Sequence, residues 1–268
     1  MALRTTSLGV PSFMCVGAQK AGTTTLHALL NTHSQIFLPL CKEVHYFSLH
    51  YHQGMDWYRS HFSLANSNQC IGEITPYYMF HPYAALRIAE DLGKIKIIIL
   101  LRDPVNRTLS HYGHSCRLGF ENLPLEEALN KEDIRLTGFL DELKNSCGIH
   151  KNHQECSYLS RSLYRSQVQQ YWKIFGRNNV LLLPSESLFS RPLESMQIIF
   201  SFLGLDSHLM PSSSILNVHA NKAIASGSKE VVHNSLVISK LRADLEDSYL
   251  FVRDELGWEN SLPWNWNL

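Results

Sequence analysis

The chain has no surplus of either charge: lysine plus arginine and aspartate plus glutamate number 24 each in 268 residues, a formal net charge of zero. A groove built for nucleic acid or a sulfated polysaccharide ordinarily leaves a basic excess, and none shows globally. Long apolar runs are missing too. The longest aliphatic stretch, Ile95 and then Ile97 to Leu101, is far too short to span a bilayer. Met1 to Val10 lacks the apolar core of a secretory signal. The six cysteines (15, 41, 70, 116, 147 and 156) form no C-x-x-C pair and no zinc spacing. Cys147 and Cys156 could meet around a surface loop, but free thiols in a reducing compartment are the expectation. With 44% hydrophobic and 18% charged residues, no internal repeat and no flexible linker, residues 1–268 read as one globular domain.

What is present is organised around Ser12 to Leu30, SFMCVGAQKAGTTTLHALL. Ser12 to Val16 is a short apolar run between Pro11 and Gly17, the pattern of a buried strand. From Thr23 the period changes, with Leu26, Leu29 and Leu30 at helical spacing. The loop between, Gly17-Ala18-Gln19-Lys20-Ala21-Gly22, has no bulky side chain to hold a ligand away. It aims free N–H groups, a positive helix end and one lysine at a single point, which describes a phosphate site. The spacing from Gly17 to Gly22 matches the Walker A pattern, but Thr23 stands where that pattern needs its lysine. The mismatch argues against a nucleoside triphosphatase or a phosphoryl-transfer kinase. A glycine-rich turn without a ligand is the bland alternative.

Lys96 to Leu101, KIIILL, predicts a central strand, since a continuous β-branched run suits a strand covered on both faces. Arg102-Asp103-Pro104 follows at once, and Pro104 suits the first turn of a helix over Val105 to Leu118. Cys70 to Tyr78 predicts a short strand ending at Pro76, and Val180 to Leu183 a second buried strand. Helices are expected over His81 to Leu92, Leu163 to Phe175 and Pro192 to Leu203, with Gly93 and Gly204 as stops. Leu125 to Leu143 reads as a peripheral helical region and Asn145 to Cys156 as a polar loop. Asn31 to Leu40 reads as a connection, and the histidine- and aromatic-rich Cys41 to Phe62 as a loop with short helical turns. Pro211 to Lys229 predicts a mobile loop, Val231 to Leu256 a mostly helical stretch, and the tail Trp258 to Leu268 a segment docked on the body. The alternation gives an α/β fold, a central, mostly parallel sheet flanked by helices on both faces.

Three separated pieces then combine. Gln19-Lys20-Ala21-Gly22-Thr23-Thr24, Leu101-Arg102-Asp103-Pro104 with Arg107 and Ser110, and Ser162-Leu163-Tyr164 followed by Trp172 occur in that order. Together they resemble the sulfotransferases that use 3′-phosphoadenosine 5′-phosphosulfate (PAPS), from roughly Phe13 to Leu205. Glu43-Val44-His45-Tyr46-Phe47 and Gly54-x-x-Trp57-Tyr58 resemble the heparan sulfate branch in particular. The resemblance implies a P-loop-like fold, PAPS as co-substrate and no metal. It implies that Gln19, Lys20, Ala21, Gly22, Thr23, Thr24 and Thr25 hold the 5′-phosphosulfate. Arg102 and Ser110 would hold the 3′-phosphate, and Tyr164 would neighbour the adenine, although a helix aromatic is equally a core residue. Arg107 could instead make a structural salt bridge.

Sulfuryl transfer builds negative charge on the departing phosphate oxygen, where a fixed cation helps most, and Lys20 is the candidate. An acceptor hydroxyl must also lose a proton. The resemblance implies Glu43 for that task. His45 is its rival, because in an extended segment the two share a face. Two departures stand out. Ile74 occupies the position of the heparan-type branch's second lysine, and the late Lys-Gly-Arg loop has only Asn221-Lys222 and Ser226-Gly227-Ser228-Lys229 as substitutes. Zero net charge, no targeting segment and Ile74 favour a small-molecule acceptor in the cytoplasm, with no nucleic acid or membrane partner. A carbohydrate sulfotransferase and a non-catalytic nucleotide-binding protein are the other readings.

Overall fold

The computed structural model describes residues 9–145, 147–205, 235–258 and 264. The strands are β1 (Phe13–Gly17), β2 (Ile36–Phe37), β3 (Cys70–Ile74), β4 (Lys96–Leu101) and β5 (Val180–Pro184). They form one sheet in the order β2-β3-β1-β4-β5, and every pairing is parallel. Ile97 to Leu101 are fully buried, so both faces of the central strand are covered, as its unbroken aliphatic run demands. The main helices are α1 (Thr23–Leu30), α2 (Ala84–Leu92), α3 (Pro104–Arg117), α4 (Tyr164–Phe175) and α5 (Pro192–Leu203). Asp103 caps α3, its Oδ1 accepting from the Asn106 N–H at 2.7 Å, with Pro104 in the first turn.

The strand order determines where a ligand can sit. From β1 the chain builds outward through β3 and β2 on one side, and β4 and β5 lie on the other. Open parallel sheets bind ligands beyond the carboxyl ends of their strands where the order reverses, here at β1 and β4. Gly17 pairs with Ile99, and the Ala18 N–H donates to the Leu100 carbonyl at 2.7 Å. The loop leaving β1 and the residue leaving β4 therefore emerge side by side.

Four local features differ from the sequence reading. β2 lies within the stretch read as a connection; it is a two-residue edge strand, flanked by a bond from the Cys70 N–H to the Gln35 carbonyl at 2.7 Å. Leu125 to Leu143 is not one helix but three short ones, Leu125–Asn130, Glu132–Arg135 and Phe139–Lys144, with Gly138 at φ 81° before the last. Lys151–Glu155 is a helical turn inside the expected polar loop. His150 starts it by accepting from the His153 N–H at 3.0 Å. Phe251–Glu255 winds more widely than an α-helix. All six cysteines are free. Pro211 to Lys229, Val231 to Asn234 and the tail beyond Trp258, apart from the buried Trp264, lie outside the described residues, as do Asn221-Lys222 and Ser226–Lys229. Among the described residues no helix is long and apolar enough to cross a membrane.

Candidate active site

The loop after β1 turns through left-handed backbone at Lys20 (φ 70°) and Gly22 (φ 90°). Two glycines are required by what surrounds them. A Cβ on Gly17 would lie 2.5 Å from Met79 Cβ, and one on Gly22 would lie 2.9 Å from the Phe189 ring. The Ala18 and Ala21 N–H groups are used within the fold. Those of Gln19, Lys20, Gly22 and the first turn of α1 have no partner among the described residues, which leaves a ring of donors at a helix N-terminus. Thr23 and Thr25 are buried, and Thr24 is exposed.

Lys20 is mostly removed from water, and its ammonium has no hydrogen bond or ion pair among the described residues. Burial, then the charges of Arg117, Arg102 and Arg107, lower its pKa to about 8, with Glu43 opposing them. A cation held among other cations is an arrangement an anion would relieve. Ile74 is buried in the core, so the positive field around Lys20 comes from these arginines and not from the Ile74 position.

Arg102, the residue after β4, donates from Nη1 to the Lys20 carbonyl at 3.1 Å. The two stretches singled out in the sequence thus meet at one hydrogen bond. Tyr164 is fully buried; its hydroxyl donates to the Arg102 carbonyl at 2.8 Å, so it fixes the strand end from below. Ser110 is half-buried on α3. Arg107 makes no salt bridge among the described residues. It is wholly buried and donates to Ser162 Oγ at 2.5 Å and to the Tyr158 carbonyl, and its Nη1 has no partner there. Burial brings its pKa down to about 10.

Glu43 and His45 sit in the segment before Tyr46, both in left-handed backbone at φ 65° and 57°. Non-glycine residues hold that conformation only where the surroundings over-determine it. Here the Ser48, Leu49 and His50 N–H groups all donate to the His45 carbonyl, at 3.2, 2.9 and 3.1 Å. The Tyr78 hydroxyl accepts from the Phe47 N–H at 3.3 Å and donates to Glu73 at 2.8 Å. Glu73 is buried at the end of β3 and also accepts from Tyr58 at 2.5 Å and Thr75 at 2.6 Å. Burial raises its pKa, and the hydroxyls oppose the rise. Arg87 of α2 completes the clamp, donating to the Phe47 and Ser48 carbonyls at 3.1 and 3.4 Å and to those of Leu143 and Asn145 at 3.4 Å each.

Arg87→Met keeps much of the volume but strands four carbonyls. It is expected to cost about 2–3 kcal/mol, read as a lower denaturant midpoint. An unchanged midpoint would mean the segment holds its shape without that guanidinium.

Glu43 Oε2 lies 3.6 Å from His45 Nε2, and Oε1 accepts from the Lys42 ammonium. Burial alone would raise the carboxyl, but the neighbouring His45 and the Lys42 ammonium prevail and hold it down to about 2. His45 Nδ1 meets Ser48 Oγ at 3.1 Å. A cavity of about 160 Å³ joins Glu43 and His45 to Gln19, with Tyr77 and Arg161 in the same wall. Arg161 was not singled out in the sequence. It is buried, donates to Gln19 Oε1, and stacks over Tyr77 at 4.8 Å. It ties the loop after β1 to the cavity from 142 residues away, a separation no local pattern records.

The sequence and the fold match known proteins. The family model described as a sulfotransferase domain matches residues 11–251. The chain belongs to the sulfotransferase family, and it is an enzyme of that class. In an alignment 136 positions long that covers 45% of the chain, it is 40% identical to the membrane-associated sulfotransferase kil1 of Dictyostelium discoideum, of which it spans 29%. In an alignment 249 positions long that covers 87% of the chain, it is 24% identical to heparan sulfate glucosamine 3-O-sulfotransferase 5 of Mus musculus and spans 68% of that protein. The crystal structure of a sulfotransferase from Alicyclobacillus acidocaldarius superposes with a TM-score of 0.74 at 25% identity, covering 93% of this chain and 96% of that one.

Proposed function

We propose that this enzyme moves the sulfuryl group of PAPS to a hydroxyl, or an amine, of a small acceptor. The observation that carries the reading is the hydrogen bond from the Arg102 guanidinium to the Lys20 carbonyl, which joins the loop to the strand end, with the Arg102 charge acting on the Lys20 ammonium. The free N–H groups around Lys20 suit a 5′-phosphosulfate, and Arg102, with Ser110 two turns into α3, suits the 3′-phosphate. Thr24 and Thr25 add hydroxyls in the first turn of α1. Tyr164 acts in this reading by holding Arg102, beside the adenine.

In the transfer, the acceptor oxygen forms a bond to sulfur as the sulfur–phosphate oxygen bond breaks. The Lys20 ammonium and the loop N–H groups meet the charge that appears on the departing oxygen. The acceptor proton passes to Glu43. A carboxylate near pKa 2 is a weak base, but the hydroxyl becomes strongly acidic as its oxygen bonds to sulfur, so a late proton transfer suffices. His45 and Lys42 orient the carboxylate. A small acceptor is favoured over a polysaccharide by the small volume of the cavity, about 160 Å³, and by the balanced net charge. The test is incubation with labelled PAPS and an acceptor library without magnesium. Labelled product supports the reading. Tight binding of 3′-phosphoadenosine 5′-phosphate (PAP) with no transfer to any acceptor would favour a nucleotide-binding protein instead.

A further inference from the structure

The cavity beside Glu43 has an uneven hydrogen-bond demand on its far wall. Arg161 brings a charge there, but four of its N–H donors are used: Nε to Ser157 Oγ at 2.8 Å, one from Nη1 to Gln19 Oε1, and Nη2 to the His153 and Gln154 carbonyls at 2.8 and 2.5 Å. Its neighbour in the wall, Glu155, is the reverse case. The Glu155 main-chain carbonyl accepts from Ser115 Oγ at 2.7 Å, but the carboxylate has no hydrogen bond or ion pair among the described residues. It is half-buried, and burial raises its pKa against the opposing charges of Arg161, His45 and Lys151. None of those three is within ion-pair distance of it, and Lys151 lies over the Phe120 ring at 5.7 Å. A carboxylate that lines the cavity, still reaches water and takes no hydrogen bond from the described residues can accept one from a ligand there. Next to it, Leu118 and Phe120 line the same cavity with 52% and 40% of their surfaces in water, an apolar ledge at its mouth.

On top of the sulfotransferase reading, we propose that Glu155 is a specificity-determining residue that selects hydroxyl acceptors carrying a cationic amine. The amine pairs with the Glu155 carboxylate, the apolar body of the acceptor packs on Leu118 and Phe120, and the hydroxyl is presented to Glu43. The same carboxylate repels acceptors bearing carboxylate or sulfate groups at that point, which separates this pocket from one made for a polyanion.

Three phenols that differ only in their far end test this: tyramine, 4-ethylphenol and 3-(4-hydroxyphenyl)propionate, each with labelled PAPS, in the wild-type protein and Glu155→Gln. A charge-assisted hydrogen bond predicts a kcat/KM for tyramine about 10- to 100-fold above that for 4-ethylphenol, with the carboxylate lowest. In Glu155→Gln the amine advantage should shrink to within about threefold, while PAP binds with wild-type affinity by calorimetry. Preference for the carboxylate, an amine advantage that survives in Glu155→Gln, or transfer to none of the three would overturn the proposal. If PAP still binds in that last case, the nucleotide-site reading stands. Failure of the wild-type protein to bind PAP would remove the sulfotransferase reading itself.

Discussion

Glu43→Gln is expected to lower kcat for transfer to a hydroxyl by about 10²- to 10⁴-fold, with PAP affinity and the denaturant midpoint little changed. The amide keeps the shape and one acceptor oxygen near His45 but cannot take up a proton. The pH profile sharpens the assignment. Glu43 has its pKa lowered to about 2, so its carboxylate is present from mildly acidic pH upward. Sign and window follow: a base of this kind is lost only by acidification to about pH 2, and kcat should be flat on the acid side down to mildly acidic pH. Loss of activity in His45→Ala together with its retention in Glu43→Gln would hand the proton to the imidazole.

The second large effect belongs to Lys20. Lys20→Ala removes the only ammonium in the loop, and kcat should fall by about 10²- to 10³-fold, the range for one donor to a developing anion. PAP affinity should fall much less, by no more than about tenfold, because the N–H groups and Arg102 remain. The depressed pKa gives a signature in binding. The protonated ammonium is the form that attracts phosphate, and an anion beside it raises its pKa above the free value of about 8. PAP affinity in the wild-type protein should therefore be full below about pH 8 and decline as pH rises past it, and the decline should be absent in Lys20→Ala. Equal turnover in the variant would remove Lys20 from the chemistry.

Much of this site was legible in the sequence because its parts are short and local. KIIILL can only be a strand covered on both faces, and Arg102 follows it directly. Gly17 to Gly22 carries its small-residue turn on its face. What could not be read falls into two kinds. The first is backbone held by tertiary contacts against local preference: Glu43 and His45 lie in left-handed backbone, where a sequence reader expects glycine or asparagine, because Tyr78 and Arg87 hold the following residues. The helix Lys151–Glu155 is similar, a polar stretch with no apolar period, seated by the buried His153. The second kind is long-range polar pairing. Nothing near Arg161 in the chain points to Gln19, and nothing near Glu73 points to Tyr58, until the sheet brings them together. The Tyr164 ring is wholly in the core, and its hydroxyl acts on Arg102 through the backbone.

The claim on which all of this rests is that Lys20 and Arg102 grip one nucleotide carrying phosphate on both its 5′ and 3′ oxygens. Calorimetric titration of the wild-type protein and Arg102→Ala with PAP and with 5′-AMP tests it directly. The wild-type protein should bind PAP at least about tenfold more tightly than 5′-AMP, and Arg102→Ala should bring PAP down to the level of 5′-AMP while leaving 5′-AMP itself unchanged. Equal affinity for the two nucleotides in the wild-type protein, or a PAP advantage that persists in Arg102→Ala, would contradict it.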